Sequence, residues 1–171
     1  MMQAETGTMQ TQVAPQADAL AAGTLTVMCG GEWFGLPIAH VYSIFSVGSI
    51  TPVPLAPPEI IGLINVRGAI VTAVSLRRRL RMTPEIDTRG ALAVVLHQGS
   101  ENFALLVDHV ADVVDLGLVR PLQKQPHIDS HRVALTRHVY RIDDRIVPVL
   151  DVAALLDFHG GESRPHAHAE H

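Results

Sequence analysis

Residues 60–76 read IIGLINVRGAIVTAVSL, an apolar run interrupted at its centre by Asn65, Arg67 and Gly68. Asn and Gly both tolerate left-handed backbone, so the run divides into two β-strands meeting at a tight turn. Arg67 then projects from a rigid hairpin corner with apolar strands behind it. It is also the first Lys or Arg in the chain. A guanidinium mounted this way offers a fixed fork of donors to a carboxylate or to backbone carbonyls of another molecule. An internal salt bridge, to Asp108 or Asp112 for instance, accounts for it equally well on physical grounds alone.

The residues on either side extend the pattern. TPVPLAPP (51–58) has four prolines in eight positions, which excludes a central strand and predicts an extended, polyproline-like connector. Upstream, TLTVMC and EWFGLPI are split by Gly30-Gly31 and form a hairpin. Downstream come LAVVLHQ, NFALLVDHVADVVDL and YRIDDRIVPVLDV, with QGSEN (98–102) and IDDR (142–145) supplying turn residues. Short apolar runs punctuated this way predict an all-β domain of barrel or sandwich type. IVTAVSLRRRL (70–80) echoes IVPVLDVAALL (146–156). In both, a strand runs into a natural N-cap, Ser75 or Asp151, and then into a leucine-spaced stretch that predicts a short helix. Two lobes of related construction explain the echo, as does convergent local grammar.

Composition narrows the function. The chain has 171 residues, 47% hydrophobic and 18% charged, enough for one domain or two small lobes sharing a core. Residues 1–66 hold four acids and no Lys or Arg, while the formal net charge is −4. No global basic field exists to hold nucleic acid or anionic lipid. Seven Phe, Trp and Tyr residues leave little for base stacking. The sole cysteine, Cys29, excludes an intrachain disulfide and suits a reducing compartment. The N-terminus lacks the pattern of a secretory signal, and no apolar stretch is long enough to insert in a membrane, so a cytoplasmic protein is expected. Residues 1–22 read as a flexible leader, 23–158 as the folded domain and 159–171 as a flexible, histidine-containing tail.

No catalytic constellation emerges. The nucleophile-elbow and phosphate-loop patterns are missing. Asp108, Asp112 and Asp115 lie in a Val-rich strand and read as a solvated edge. His127 and His131 in HIDSH face one metal only on a helix, and that segment reads as a loop; no metal or cofactor is expected. RRRLR (77–81) reads as a solvated helix face, with Leu76 and Leu80 turned inward.

The order of motifs resembles the CheW-like family, the coupling proteins of bacterial chemosensory arrays. The carriers are GGEWFGLPIAHV, ITPVPLAPPEIIGLINVRG, LLVDHVADV and DDRIVPVLDVAALL, spanning about Thr24 to Phe158. The resemblance implies two small five-stranded, SH3-like β-barrels around a shared apolar interior, and no catalytic activity. It implies two partners: the hairpin tip of a cytoplasmic chemoreceptor and the regulatory domain of a histidine autokinase, at membrane-associated receptor arrays. It further implies that Arg67, Asn65 and Gly62 hold the receptor tip, while Val41, Val110 and Val113 line a groove between lobes. The chain departs from the family at Ser43 and Ser75, where an acid is usual, and at Thr72, where a proline is usual. These departures leave the fold less in doubt than the partner, and admit an alternative chemosensory pathway. A nucleic-acid-binding small barrel and a small enzyme or ligand-binding barrel are the competing classes.

Overall fold

A computed structural model describes residues 23–82, 88, 90–123 and 128–159. The expected leader, all of the expected tail except His159, and His127 therefore lie outside the described residues. Ten strands form: β1 (Thr24–Cys29), β2 (Glu32–Pro37), β3 (Val41–Ser46), β4 (Ile60–Val66), β5 (Ala69–Ser75), β6 (Leu92–Gln98), β7 (Glu101–Val107), β8 (His109–Val114), β9 (Thr136–Ile142) and β10 (Arg145–Leu150). Three one-turn helices accompany them: α1 (Leu76–Arg79), α2 (Ser130–Ala134) and α3 (Val152–Leu155). The hairpins expected at Gly30-Gly31, Arg67-Gly68, QGSEN and IDDR all form. The proline-rich connector stays out of both sheets, apart from one bridge between Thr51 and Leu63.

The strands make two five-stranded sheets, ordered β8-β1-β2-β10-β9 and β3-β6-β7-β5-β4. Placed in register, the orders are the same topology written twice. Each has a central hairpin (β1-β2 or β6-β7), a parallel ladder to β10 or β5, and antiparallel outer strands. The chain's halves exchange strands to achieve this, because β3–β5 follow β2 but join β6 and β7, while β8–β10 return to β1 and β2. Every outer strand (β3, β4, β8 and β9) carries one register shift, and both central hairpins are regular. The echo between residues 70–80 and 146–156 is thus a real internal repeat. Ser75 Oγ accepts from Arg78 N at 3.2 Å to start α1, and Asp151 Oδ1 accepts from Ala154 N at 3.1 Å to start α3.

Apolar packing explains why LAVVL and FALLV are continuous rather than alternating. Val94, Leu96, Leu105 and Val107 face a large cluster that also holds Leu25, Val27, Phe34, Leu36, Leu76, Leu80, Val152 and Leu155. The other face of the same strands, with Ala93, Ala104 and Leu106, packs against Ile64 and Val71 inside the second sheet. Leu116, Tyr140 and Val149 form the smaller counterpart in the first. Strands buried on both faces need apolar residues at every position. The core shared between the sheets is what the two-lobe expectation required.

The arginine cluster differs from expectation. Arg77 and Arg79 are only 12% exposed at their side chains, because each is drawn onto the protein rather than into solvent. Arg77 Nη2 donates to Asp108 Oδ2 at 2.9 Å, and Gly30 N donates to the same oxygen at 2.7 Å, tying α1, the β7–β8 junction and the first hairpin together. Arg78 reaches the Pro58 carbonyl at 3.0 Å. Arg81 lies beyond α1 with φ 53° and shares no helical face with Arg77. Asp108 is accordingly part of the fold, whereas Asp112 and Asp115 are exposed as expected. HIDSH also departs, since Asp129 caps a helical turn and His131 Nε2 meets the Arg79 carbonyl at 2.7 Å.

Cys29 is buried beside this latch. Burial, followed by the Asp108 carboxylate, pushes its thiol from an ordinary 9.0 up to about 12. A raised folded-state value means the contribution to stability is intact below pH 9 and is lost as pH rises toward 12. Melting curves between those limits should fall more steeply for the wild type than for Cys29→Ala; parallel curves would contradict the assignment.

Candidate functional site

The β4–β5 turn is two residues long, with Arg67 at φ 52° and Gly68 at φ 87°. Positive φ at both positions is the geometry of a type I′ hairpin turn, which Asn-Gly satisfies without strain. Here Asn65 stays on the strand, and its Oδ1 accepts from Gly68 N at 2.8 Å. Arg67 takes the left-handed position instead, at a cost of about 1 kcal/mol for a residue with a Cβ. The internal repeat provides a comparison. The equivalent β9–β10 turn has Asp143 at φ 52°, a residue that tolerates this conformation. Arg67 is exposed and makes no ion pair or side-chain hydrogen bond among the described residues. The internal salt bridge to Asp108 does not form, because Asp108 is held by Arg77.

Gly62 has a different environment from Arg67. It is buried at the β4 register shift, where the connector crosses, and an added Cβ would run into the Thr51 carbonyl oxygen. Thr51 and Leu63 exchange hydrogen bonds of 2.9 and 2.8 Å there. Gly62→Ala should therefore cost about 2 kcal/mol through strain and loss of this strap, as in overpacked cores. Chemical denaturation would measure it, and an unchanged midpoint would mean the connector is not held by Gly62.

The three valines lie elsewhere. Val41 pairs with Leu96, and Val110 pairs with Val27, so the repeat makes them equivalent positions on the exchanged strands β3 and β8. Both are half-buried against the shared core. Val113, 53% exposed, lies one step beyond the register shift. Gly23 lies between Val113 and Ile38: its carbonyl accepts from Ile38 N at 3.0 Å, and a Cβ there would lie 2.8 Å from Val113 Cγ1 and 3.7 Å from Ile38 Cγ2. Val41 and Val110 thus border the shared core from different sheets, and Val113 lies farther along β8. The Asn65–Gly68 turn stands apart, at the far edge of the β3-β6-β7-β5-β4 ladder. Sequence reasoning missed Ile44, the repeat mate of Val113, which pairs with Val94 as Val113 pairs with Leu25. Only the strand exchange reveals that equivalence.

Reaction chemistry finds no matching constellation. No group of three or more His, Cys, Asp or Glu side chains is placed to hold a metal ion among the described residues. A cleft of about 370 Å³ lies between Trp33, Ile128, Ile146 and Pro148. Its arginines are already engaged, Arg132 with Glu32 at 2.8 Å and Arg145 over the Trp33 ring at 4.4 Å. No helix among the described residues is long and apolar enough to cross a membrane.

Two five-stranded sheets of one topology, exchanging strands around a shared core, define a two-lobed β-protein. The CheW-like domain family model matches residues 23–159, and the chain belongs to that family. It is 31% identical to a chemotaxis protein CheW of Rhizobium meliloti over 72% of this chain and 79% of that protein. It is 29% identical to a probable chemotaxis protein CheW of Rhizobium etli, over 74% and 81%. The crystal structure of the scaffolding protein TtCheW from Thermoanaerobacter tengcongensis superposes with a TM-score of 0.69 at 24% identity, covering 82% of this chain and 95% of that one. The fold is therefore that of a non-catalytic chemotaxis scaffold, a family that couples chemoreceptors to the CheA kinase.

Proposed function

We propose that this chain binds the cytoplasmic hairpin tip of a chemoreceptor through Arg67, Asn65 and Gly62 together with the Val41, Val110 and Val113 rim. A second surface takes the regulatory domain of the histidine kinase, at membrane-associated receptor arrays on the cytoplasmic side. The observation that carries this reading is Arg67, an exposed arginine held in a left-handed turn position with no ion pair among the described residues. A strained residue with no side-chain partner among the described residues supports a use outside the molecule. Gly62 acts in this reading by fixing the hairpin, not by touching the partner. The valine rim offers apolar area to an amphipathic helix, and the guanidinium offers direction. Cosedimentation tests it: vesicles bearing receptor cytoplasmic domains should pull down the protein, and the kinase should follow only when the protein is present. Kinase recruitment that ignores the protein would refute the coupling role.

A further inference from the structure

The repeat shows what the second sheet lacks. In the first sheet, α2 precedes β9 and reaches the starts of β2 and β10. Arg132 on α2 pairs with Glu32 at 2.8 Å, and both line one cleft with Ile146. The hairpin turns and the parallel ladders fix the mates of these residues. Glu32 on β2 corresponds to Glu101 on β7, and Ile146 on β10 corresponds to Ile70 on β5. The segment before β4, where α2 would stand, is the connector TPVPLAPP, whose four prolines exclude a helix. Ile70 is accordingly 65% exposed. Glu101 is exposed too, and makes no ion pair among the described residues.

Register sets these side chains on one face. Ile64 and Val71 pair inside the second sheet, so Asn65 and Ile70, paired one step along, look outward. Thr72 lies opposite Phe103 in the parallel ladder, which brings Glu101 level with Ile70. Gln98 pairs with Glu101 on the next strand. An outward row thus runs Asn65, Ile70, Glu101, Gln98 across β4, β5, β7 and β6, with Arg67 at its β4 end. Two residues inward from Gln98 on the same face, Leu96 pairs with Val41. The row therefore bridges the two parts of the candidate site, the Arg67 turn and Val41.

We infer that one helix of the receptor hairpin lies across this row, in the place that α2 fills in the first sheet. The inference rests on the receptor reading above and adds which helix face is read, with Ile70 and Glu101 as further contact residues. Successive turns of a helix, about 5.4 Å apart, meet successive strands, about 4.8 Å apart, when the helix crosses them. Residues three or four apart on one helix face then meet Arg67, Ile70 and Glu101 in turn. The matching face carries an acid, an apolar side chain and a base in that order. Arg132 of α2 is the internal precedent for the base. The opposite charges at the two ends also fix the direction of the helix, since reversing it sets acid against Glu101 and base against Arg67.

Calorimetric titration of the full chain with the cytoplasmic hairpin of a chemoreceptor tests it, with the melting temperature read for every variant. Ile70→Lys and Glu101→Lys should each weaken binding at least ~10-fold. Both should melt as the wild type does, because both side chains are exposed. Asp144→Lys, the same charge change on the exposed β9–β10 turn, should bind as the wild type does. A receptor-helix Lys or Arg changed to Glu should weaken binding to the wild type and restore it to Glu101→Lys. If Arg67→Glu loses the receptor while Ile70→Lys and Glu101→Lys keep it, the inference fails and the receptor reading stands. Equal loss in Asp144→Lys overturns it as well, as does the lack of any receptor change that restores Glu101→Lys. A wild type that does not bind the hairpin removes the receptor reading and this inference together.

Discussion

Replacing Arg67 with glutamate should abolish receptor-hairpin binding while leaving the fold untouched. The substitution removes a charge-assisted hydrogen-bond donor and sets an acid in its place, which together cost about 2–5 kcal/mol, roughly 30-fold or more in affinity. Stability should hold, because the side chain is exposed and makes no ion pair among the described residues. Arg67→Asn should separate the two effects further. Asparagine suits the left-handed turn position, so the variant should gain about 0.5–1 kcal/mol of stability while also losing the receptor. Calorimetric binding and melting on the same samples decide the matter. An Arg67→Glu protein that melts early and loses both receptor and kinase would make the arginine structural. Kinase binding should survive if the two partners use separate surfaces.

Arg79→Ala should be the most damaging single change to stability outside the core. Its guanidinium donates to the carbonyls of Leu155, Ala154 and Asp157 at 2.8, 2.9 and 2.9 Å. Those oxygens lie at and just beyond the end of α3, where a cation is favoured. The same group lies 5.4 Å from the Phe158 ring centroid, and Phe158 packs on Phe103. Its alanine variant leaves several acceptors unmatched and loses the packing of the stem, for a loss of about 3 kcal/mol. Urea denaturation should show it. Arg79→Lys should recover less than half, since one ammonium cannot reproduce a planar fork. A loss below about 1 kcal/mol in the alanine variant would mean that α3 is held by apolar packing alone.

The contrast between Arg67 and Arg79 shows where the sequence was legible. Hairpins, caps and the proline connector depend on neighbours in the chain, and Gly30-Gly31, Ser75 and Asp151 announce them locally. Arg67 was readable because the turn residues beside it fixed its exposure. The RRRLR run was not, because its partners are distant in sequence: Pro58 comes with the β4–β5 hairpin, Asp108 with the parallel β5–β7 ladder and Leu155 with strand exchange, and no local pattern encodes them. The same reason hid Ile44. Its relation to Val113 exists only once β3 and β8 have crossed to opposite sheets. Likewise, Asn65 looked like the left-handed residue of its turn, but the two-residue loop placed Arg67 there and used Asn65 as an acceptor.

The exchange of strands also sets an order of events during synthesis. β3 through β7 are contiguous up to Val107, so the second sheet has all its strands before the rest of the chain exists. The β1–β2 hairpin, made first, must wait for β8, β9 and β10, the last of which ends at Leu150. A lone hairpin is marginal in water, so the first described hairpin to be made is among the last elements to be secured. Pairing β2 with β10 brings Gly35 to Val149, across more than a hundred residues, the kind of non-local contact that slows folding. Until α3 arrives and Arg79 seizes its carbonyls, the Leu25 and Val27 face is open to whatever else is near. The first hairpin of the nascent domain is therefore exposed until β10 and α3 are made.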